Sequence, residues 1–217
     1  MIVTIDGPAG SGKSTAARGL AAHLGFEFLD TGAMYRSVAL ALTRAQMAFD
    51  SPEVELFLGE IHIDMFPGKV LLNREDVTPF LRTPELSSGA SKVAAIPCVR
   101  HYLVRQQRQI AQGRQMVCEG RDQGTVVFPD AECKFYLVAS PEFRARRRLQ
   151  DLLSRGHQTT LEVVLREQEE RDNRDSSRAV GALKPAADSI HLDTSDMGID
   201  EVLLWMEQKV RERCPRG

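Results

Sequence analysis

The chain opens on an apolar run, Ile2-Val3-Thr4-Ile5, which ends at Asp6 and gives way at once to a glycine-rich stretch. A short run of branched residues bounded by turn signals reads as a strand buried on both faces, because a half-exposed strand alternates apolar and polar positions. The same pattern returns in FEFLD (26–30), QMVCE (115–119), CKFYLVA (133–139) and SIHLD (189–193). Between these runs the pattern is helical, predicting helices near 13–23, 31–46, 97–112, 141–154, 160–175 and 199–213. Pro97 and Pro141 fall in first turns, where the missing N–H would have no helical partner anyway. Strands alternating with helices predict an α/β fold: a three-layer architecture with a central parallel sheet.

One segment breaks this rhythm. IHIDMFPGKVLLN (61–73) places a Pro-Gly turn between two short apolar runs, which signals a hairpin. It reads as an insertion on the main fold. The expected organisation is therefore a single domain, 1–217, with a hairpin-bearing insert near 58–95 and a helical lid near 144–178.

Composition narrows the partners. With 217 residues and a formal net charge of −2, the chain has no basic surplus to attract nucleic acid or an anionic membrane. No apolar run approaches the roughly 20 residues a bilayer requires. The chain starts directly in a strand without a basic n-region, so a cytoplasmic location is expected. Cys98, Cys118, Cys133 and Cys214 form no C-x-x-C pair, and no histidine cluster accompanies them. Cys118 and Cys133, inside apolar runs, are expected to be reduced core residues. The five histidines are scattered and show no dyad spacing.

The stretch Gly7-Pro8-Ala9-Gly10-Ser11-Gly12-Lys13-Ser14-Thr15 matches G-x-x-x-x-G-K-[ST], a loop that cradles phosphates. Its glycines let backbone N–H groups approach a polyanion, and the following helix aims its positive end at the same oxygens. Lys13 is expected to bridge the terminal phosphates of ATP, and Ser14 to offer its hydroxyl to Mg²⁺. A switch GTPase would carry N-K-x-D, and the sequence has none. A motor ATPase would end a strand in adjacent acids, whereas QMVCE ends in Glu119 followed by Gly-Arg-Asp. A small-molecule kinase remains, and it needs a second anion site.

The arginines can provide one. Arg36 follows the second strand in DTGAMYR, and Arg121 with Asp122 follows a later strand in GRDQGT. Arg171, Arg174, Asp175 and Arg178 lie at helical spacing in RDNRDSSR, and the arginine fork suits bidentate phosphate contact. Taken alone, RDNRDSSR also reads as a solvated helix face with an ordinary Arg171–Asp175 pair. RARRR (144–148) reads as a solvated face, a lid hinge or a nucleotide contact.

Taken in order, TIDGPAGSGKST, FLDTGAMYR, ASKVAAIPCVR, EGRDQGTVVFPDA, KFYLVAS and RDNRDSSRAVGALKPAADSIHLDTS resemble the bacterial cytidylate kinases over nearly the whole chain. That resemblance implies a nucleoside-monophosphate kinase that moves the γ-phosphoryl of ATP to CMP or dCMP. Other small P-loop kinases, acting on UMP, dephospho-coenzyme A or shikimate, are the alternative. It implies that Arg36 and Arg121 grip the CMP phosphate with help from Arg178, and that Ser91, Arg100 and Asp122 read the cytosine. Thr31, Arg171 and Asp175 would lie along the sugar, with Tyr35 and Gly120 also at the substrate. Lys13, Arg121, Arg171 and Arg174 would neutralise the transferring group. Thr31 stands where some members have Ser, and Glu119 where many have Asp. The loop at 194–196 and one of Arg146 or Arg147 are candidates for the adenine. A monomer is expected.

Overall fold

The computed structural model describes residues 1–214, which divide into two compact units. One is formed by Met1–Phe28 and the chain from Arg114 onward, the other by Leu29–Gly113. The first unit carries strands β1 (Ile2–Asp6), β6 (Met116–Glu119), β7 (Cys133–Val138) and β8 (Ile190–Asp193). Strand β2 (Glu27–Asp30) contains the boundary between the units. Among the described residues the central sheet has the order β2-β6-β1-β7-β8. β1 runs parallel to both β6 and β7, and β7 runs parallel to β8. The register sets Ile5 beside Glu119 and Asp6 beside Tyr136, so these strands finish together at one edge of the sheet. In such sheets ligands bind beyond the carboxyl ends of the strands.

Helix α1 (Lys13–Leu24) and helix α8 (Ile199–Arg213) cover this sheet. Ala16, Ala17, Leu20 and Leu24 of α1 meet Val202, Leu203, Met206 and Val210 of α8 over Val3, Ile5, Val117, Phe135 and Leu137. Small residues allow the close approach. A Cβ added to Gly19 would lie 2.7 Å from a methyl of Leu203, so a larger residue there would require that side chain to move. Cys118 and Cys133 are fully buried free thiols, whose ionisation burial pushes up to about 12. Helices α6 (Pro141–Ser154) and α7 (Leu161–Ser176) pack on each other through Ala145, Leu152 and Val164, a small core of their own. Pro141 occupies the first turn of α6 as expected, with Ser140 capping it by accepting from the Phe143 N–H.

The second unit holds α2 (Thr31–Arg44), a short turn α3 (Val54–Phe57), α4 (Pro84–Val93) and α5 (Pro97–Ala111). The hairpin expected at 61–73 is present as β3 (Ile63–Phe66) paired antiparallel with β4 (Lys69–Leu72). Gly68 takes the left-handed backbone (φ 74°) that its turn requires. A third strand, β5 (Glu75–Asp76), extends this sheet. Two exposed acidic residues carry no apolar alternation, so periodicity could not reveal it. Helix α4 is also absent from the helices expected above. Thr83 caps it, and its Gly89 lies so near α2 that a Cβ there would sit 3.2 Å from Ala39. The unit runs from Leu29 to Gly113 and so includes α2 and α5 as well as the hairpin.

No helix among the described residues is long and apolar enough to cross a membrane.

Candidate active site

The phosphate loop leaves β1 at Asp6. Gly7 (φ 146°), Gly10 (φ 78°) and Gly12 (φ 85°) take positive φ values that other residues rarely adopt. A Cβ on Gly7 would fall 2.0 Å from the Leu137 carbonyl oxygen, so this glycine is also required for space. Gly12 is the N-cap of α1, which begins at Lys13. The Lys13 side chain is buried, and its Nζ donates to the Pro8 carbonyl (2.5 Å) and the Ser11 Oγ (3.4 Å). Burial, reinforced by the charges of Arg121 and Arg171, pushes the Lys13 ammonium down to about 7, against the opposing pull of Glu119 and Asp6. A polyphosphate beside it would reverse that shift. Ser14 and Thr15 stand exposed in the first helical turn.

Two side chains from α6 and α7 hold the tip of the loop. The Ala9 N–H donates to Asp172 Oδ1 (3.4 Å), and the Ala9 carbonyl accepts from Arg144 Nη1 (2.8 Å). Arg144 also pairs with Asp172 Oδ2 (2.6 Å) and donates to the Ala139 carbonyl (3.1 Å). The reading of RARRR as a solvated face is thus wrong for Arg144, which is buried against the loop. Arg147, by contrast, is exposed; it lies over the Phe143 ring at 5.6 Å, and a Cβ on Gly12 would be 3.0 Å from its Nη1. Thr194 fixes the other side of the loop, its hydroxyl placed 3.1 Å from the carbonyls of both Ser11 and Val138. Gly12, Phe143, Arg147, Thr194 and Met197 share a cavity of about 70 Å³.

Beyond β6 the chain continues into a second cluster. Gly120 extends the ladder by donating to the Ile5 carbonyl (3.0 Å), which delivers Arg121 and the buried Asp122 at the carboxyl edge of the sheet. Asp175 is 1% exposed and is surrounded by arginines. Arg121 Nε lies 2.9 Å from it, Arg178 is bonded to it directly, and Arg171 lies 3.9 Å away. Burial would raise its carboxyl, but Arg121, Arg178 and Arg171 together hold it below the usual 3.8. The solvated-face reading of RDNRDSSR therefore fails for Asp175. Arg174 is half exposed, 4.0 Å from Glu170 on the same helix. Glu119, buried at the end of β6, adds a carboxylate near Lys13 and Arg121.

The second unit contributes a separate set. Asp30 caps α2 by accepting from the Ala33 N–H (2.8 Å), and the same carboxylate holds the Arg36 guanidinium at 3.1 Å. Thr31 and Tyr35 are buried in the first turns of α2. Ser91 is buried on α4. Arg100 is buried on α5, and its Nη1 donates to the Ala94 carbonyl (3.3 Å).

Sequence reasoning missed Arg144 and Asp172 as supports of the phosphate loop, whereas it does name the loop at Thr194 as a candidate for the adenine. Arg144 and Asp172 lie inside charge runs whose members look alike until the helices are placed. The one available signal was the position of Arg144 three residues after the helix-starting Pro141.

Among the described residues no group of three or more His, Cys, Asp or Glu could hold a metal.

A central strand running into a glycine-rich loop, a lysine at the start of the next helix, and arginine-rich helices beside it define a P-loop phosphotransferase. The sequence profile of cytidylate kinase matches residues 3–212. The cytidylate kinase of Solibacter usitatus (strain Ellin6076) is 46% identical, the match covering 100% of this chain and 95% of that one. That of Fervidobacterium nodosum is also 46% identical, over 98% and 97% of the two chains. The chain belongs to the cytidylate kinase family. Solved structures agree on the fold: an uncharacterized protein from Eubacterium ventriosum superposes with a TM-score of 0.56 at 12% identity, over 98% of this chain and 99% of that one. A shikimate kinase from Bacteroides thetaiotaomicron gives 0.50 at 10% identity, over 97% and 98%.

Proposed function

We propose that the chain transfers the γ-phosphoryl group of ATP to CMP or dCMP, giving ADP and CDP or dCDP. The observation that carries this reading is the Arg121–Asp175–Arg178–Arg171 cluster at the same sheet edge as the phosphate loop. A loop alone holds one polyanion. A second concentration of guanidinium charge, beside a buried aspartate suited to a base, supports a phosphorylated nucleoside as acceptor.

The acceptor phosphate needs no general base, since a phosphate monoester near neutral pH is already an anion. Positioning and charge neutralisation supply the catalysis. Gly7 to Thr15 would hold the ATP phosphates, with Lys13 against the terminal ones. Mg²⁺, held through Ser14, would offset charge on the β- and γ-phosphates. Arg121, Arg171 and Arg174 would take up charge on the transferring group. Arg36, Arg121 and Arg178 would bind the CMP phosphate, Thr31, Arg171 and Asp175 the sugar, and Ser91, Arg100 and Asp122 the base, with Tyr35 and Gly120 adjoining. Cytosine offers an amino donor at N4 and acceptors at N3 and O2. A carboxylate accepts from the first and a guanidinium donates to the others. Uracil reverses N3 and position 4, leaving Asp122 facing a carbonyl oxygen, a mismatch that makes such a site selective. The cavity beside Arg147, Phe143 and Thr194 supports an adenine site there. The enzyme would act in the cytoplasm as a monomer, without nucleic acid or membrane.

An ADP-release assay run with CMP, dCMP, UMP, AMP and shikimate tests this directly. Turnover with CMP and dCMP well above the rest is expected. Faster turnover with UMP, AMP or shikimate would replace the reading.

A further inference from the structure

Asp6 ends β1 and is buried, yet it belongs to neither the phosphate loop nor the arginine cluster. Its carboxylate reaches across to the segment after β6. Oδ1 accepts from the Gln123 N–H (2.9 Å) and Oδ2 from the Gly124 N–H (2.8 Å). Those amides open a π-helical turn, Gln123–Val127, whose N-cap position is occupied by Asp122. An aspartate at an N-cap ordinarily accepts from the amides of its own turn. Asp122 makes no such cap bond. The orphan donors at the start of the turn are satisfied instead by a carboxylate from another strand.

We propose that Asp6 is a positioning residue for substrate recognition: it caps the 123–127 turn in place of Asp122, so that the Asp122 side chain is directed to the base of the acceptor rather than to its own backbone. This rests on Asp122 reading the base, as proposed above. The arrangement divides one job between two aspartates. It also joins the phosphate loop, which starts one residue after Asp6, to the acceptor-reading segment through two charge-assisted hydrogen bonds. Burial is the price of that join: desolvation, only partly offset by the two amides, pushes the Asp6 carboxyl up to about 7. Gly124 packs closely, since a Cβ there would sit 3.0 Å from Thr4 Oγ1 and 3.2 Å from Lys134 Cδ. The turn is therefore seated tightly against β1 and β7, where Asp6 can reach it.

The test uses Asp6→Asn and Asp6→Ala in the full chain. Asn keeps one acceptor and Ala keeps none, so effects should grow in that order. Hydrogen exchange of the Gln123 and Gly124 amides should accelerate about 10- to 100-fold in Asp6→Asn, as expected for losing a bond to a charged acceptor. The KM for CMP should rise about tenfold and the CMP:UMP preference should fall, while affinity for a non-hydrolysable ATP analogue changes less than about threefold. Unchanged exchange at 123–124 overturns the proposal. So does an equal loss of ATP-analogue and CMP affinity with the CMP:UMP ratio intact, which would make Asp6 a support of the phosphate loop alone. Exchange on the unmodified chain needs no variant: unprotected Gln123 and Gly124 amides would also overturn it. Asp122→Asn, measured alongside, separates the two ideas. An unchanged CMP:UMP ratio there removes Asp122 from base reading, whereas the exchange rates and CMP KM of Asp6→Asn judge the brace by itself.

Discussion

Replacing Asp175 by Asn tests the arginine cluster most directly. The substitution keeps the volume and removes one negative charge from a side chain that is 1% exposed, beside Arg178 at 5% and Arg121 at 17%. At an effective dielectric of ~20, a unit pair about 4 Å apart attracts by ~4 kcal/mol. Arg121 at 2.9 Å, Arg178 in direct contact and Arg171 at 3.9 Å therefore provide on the order of 10 kcal/mol of gross attraction. Most of this offsets the desolvation of buried ions and the mutual repulsion of the arginines. Deleting the anion alone leaves the guanidiniums buried without it, and that loss is about 3–5 kcal/mol. In urea unfolding at pH 7 the midpoint should fall by roughly 1.5–2.5 M, taking a slope of ~2 kcal/mol/M. The sign with pH follows from the lowered carboxyl. Its contribution is fully present above the unfolded value near 3.8 and is lost as pH falls through the lower folded value. The gap between parent and variant should thus stay flat from pH 5 to 8 and narrow below pH 4. Millimolar inorganic phosphate should restore part of the variant's stability by supplying the missing negative charge, and should do less for the parent. A destabilisation below about 1 kcal/mol, or equal phosphate effects on both proteins, would refute the view that this aspartate holds an anion site together.

Four further predictions concern the loop and the base. Lys13→Met should lower kcat at least ~100-fold while leaving CMP affinity nearly intact, as measured by steady-state kinetics and CMP titration. Because burial pushes the Lys13 ammonium down to about 7, binding ATP near that pH should draw in roughly half a proton. Calorimetry in buffers of different ionisation enthalpy should show this uptake in the parent and not in Lys13→Met. Asp172→Asn removes the charge that holds Arg144 and the Ala9 amide, so the KM for ATP should rise about tenfold with a smaller change in the KM for CMP. Asp122→Asn should erode the CMP-over-UMP preference by at least ~10-fold in competition assays, since an amide can present either a donor or an acceptor to the base.

Much of this protein could be read along the chain. Buried parallel strands leave continuous runs of Ile, Val and Leu, so IVTI, QMVCE and CKFYLVA marked the sheet without reference to anything distant. The phosphate loop was legible because a backbone that must cradle phosphates needs glycine at fixed offsets, and Gly7, Gly10 and Gly12 take those conformations. First-turn prolines placed α5 and α6 to within a residue at their starts. Charge could not be read the same way. Arg144, Arg147 and Arg148 sit together in sequence. One braces the phosphate loop, one lies over a phenylalanine and the third pairs with Asp151. Which arginine does which depends on the helix face turned toward the loop, and a run of like residues does not record it. Asp6 and Asp122 show the same limit. Asp6 reaches the amides that follow Asp122 because β1 and β6 lie side by side, although more than a hundred residues separate them along the chain. Local chemistry determined where strands, turns and phosphate contacts must form, because each needs only its own neighbours. The partner of each buried charge was decided by the tertiary structure, because an ion removed from water takes whichever counter-charge the packed elements bring within reach.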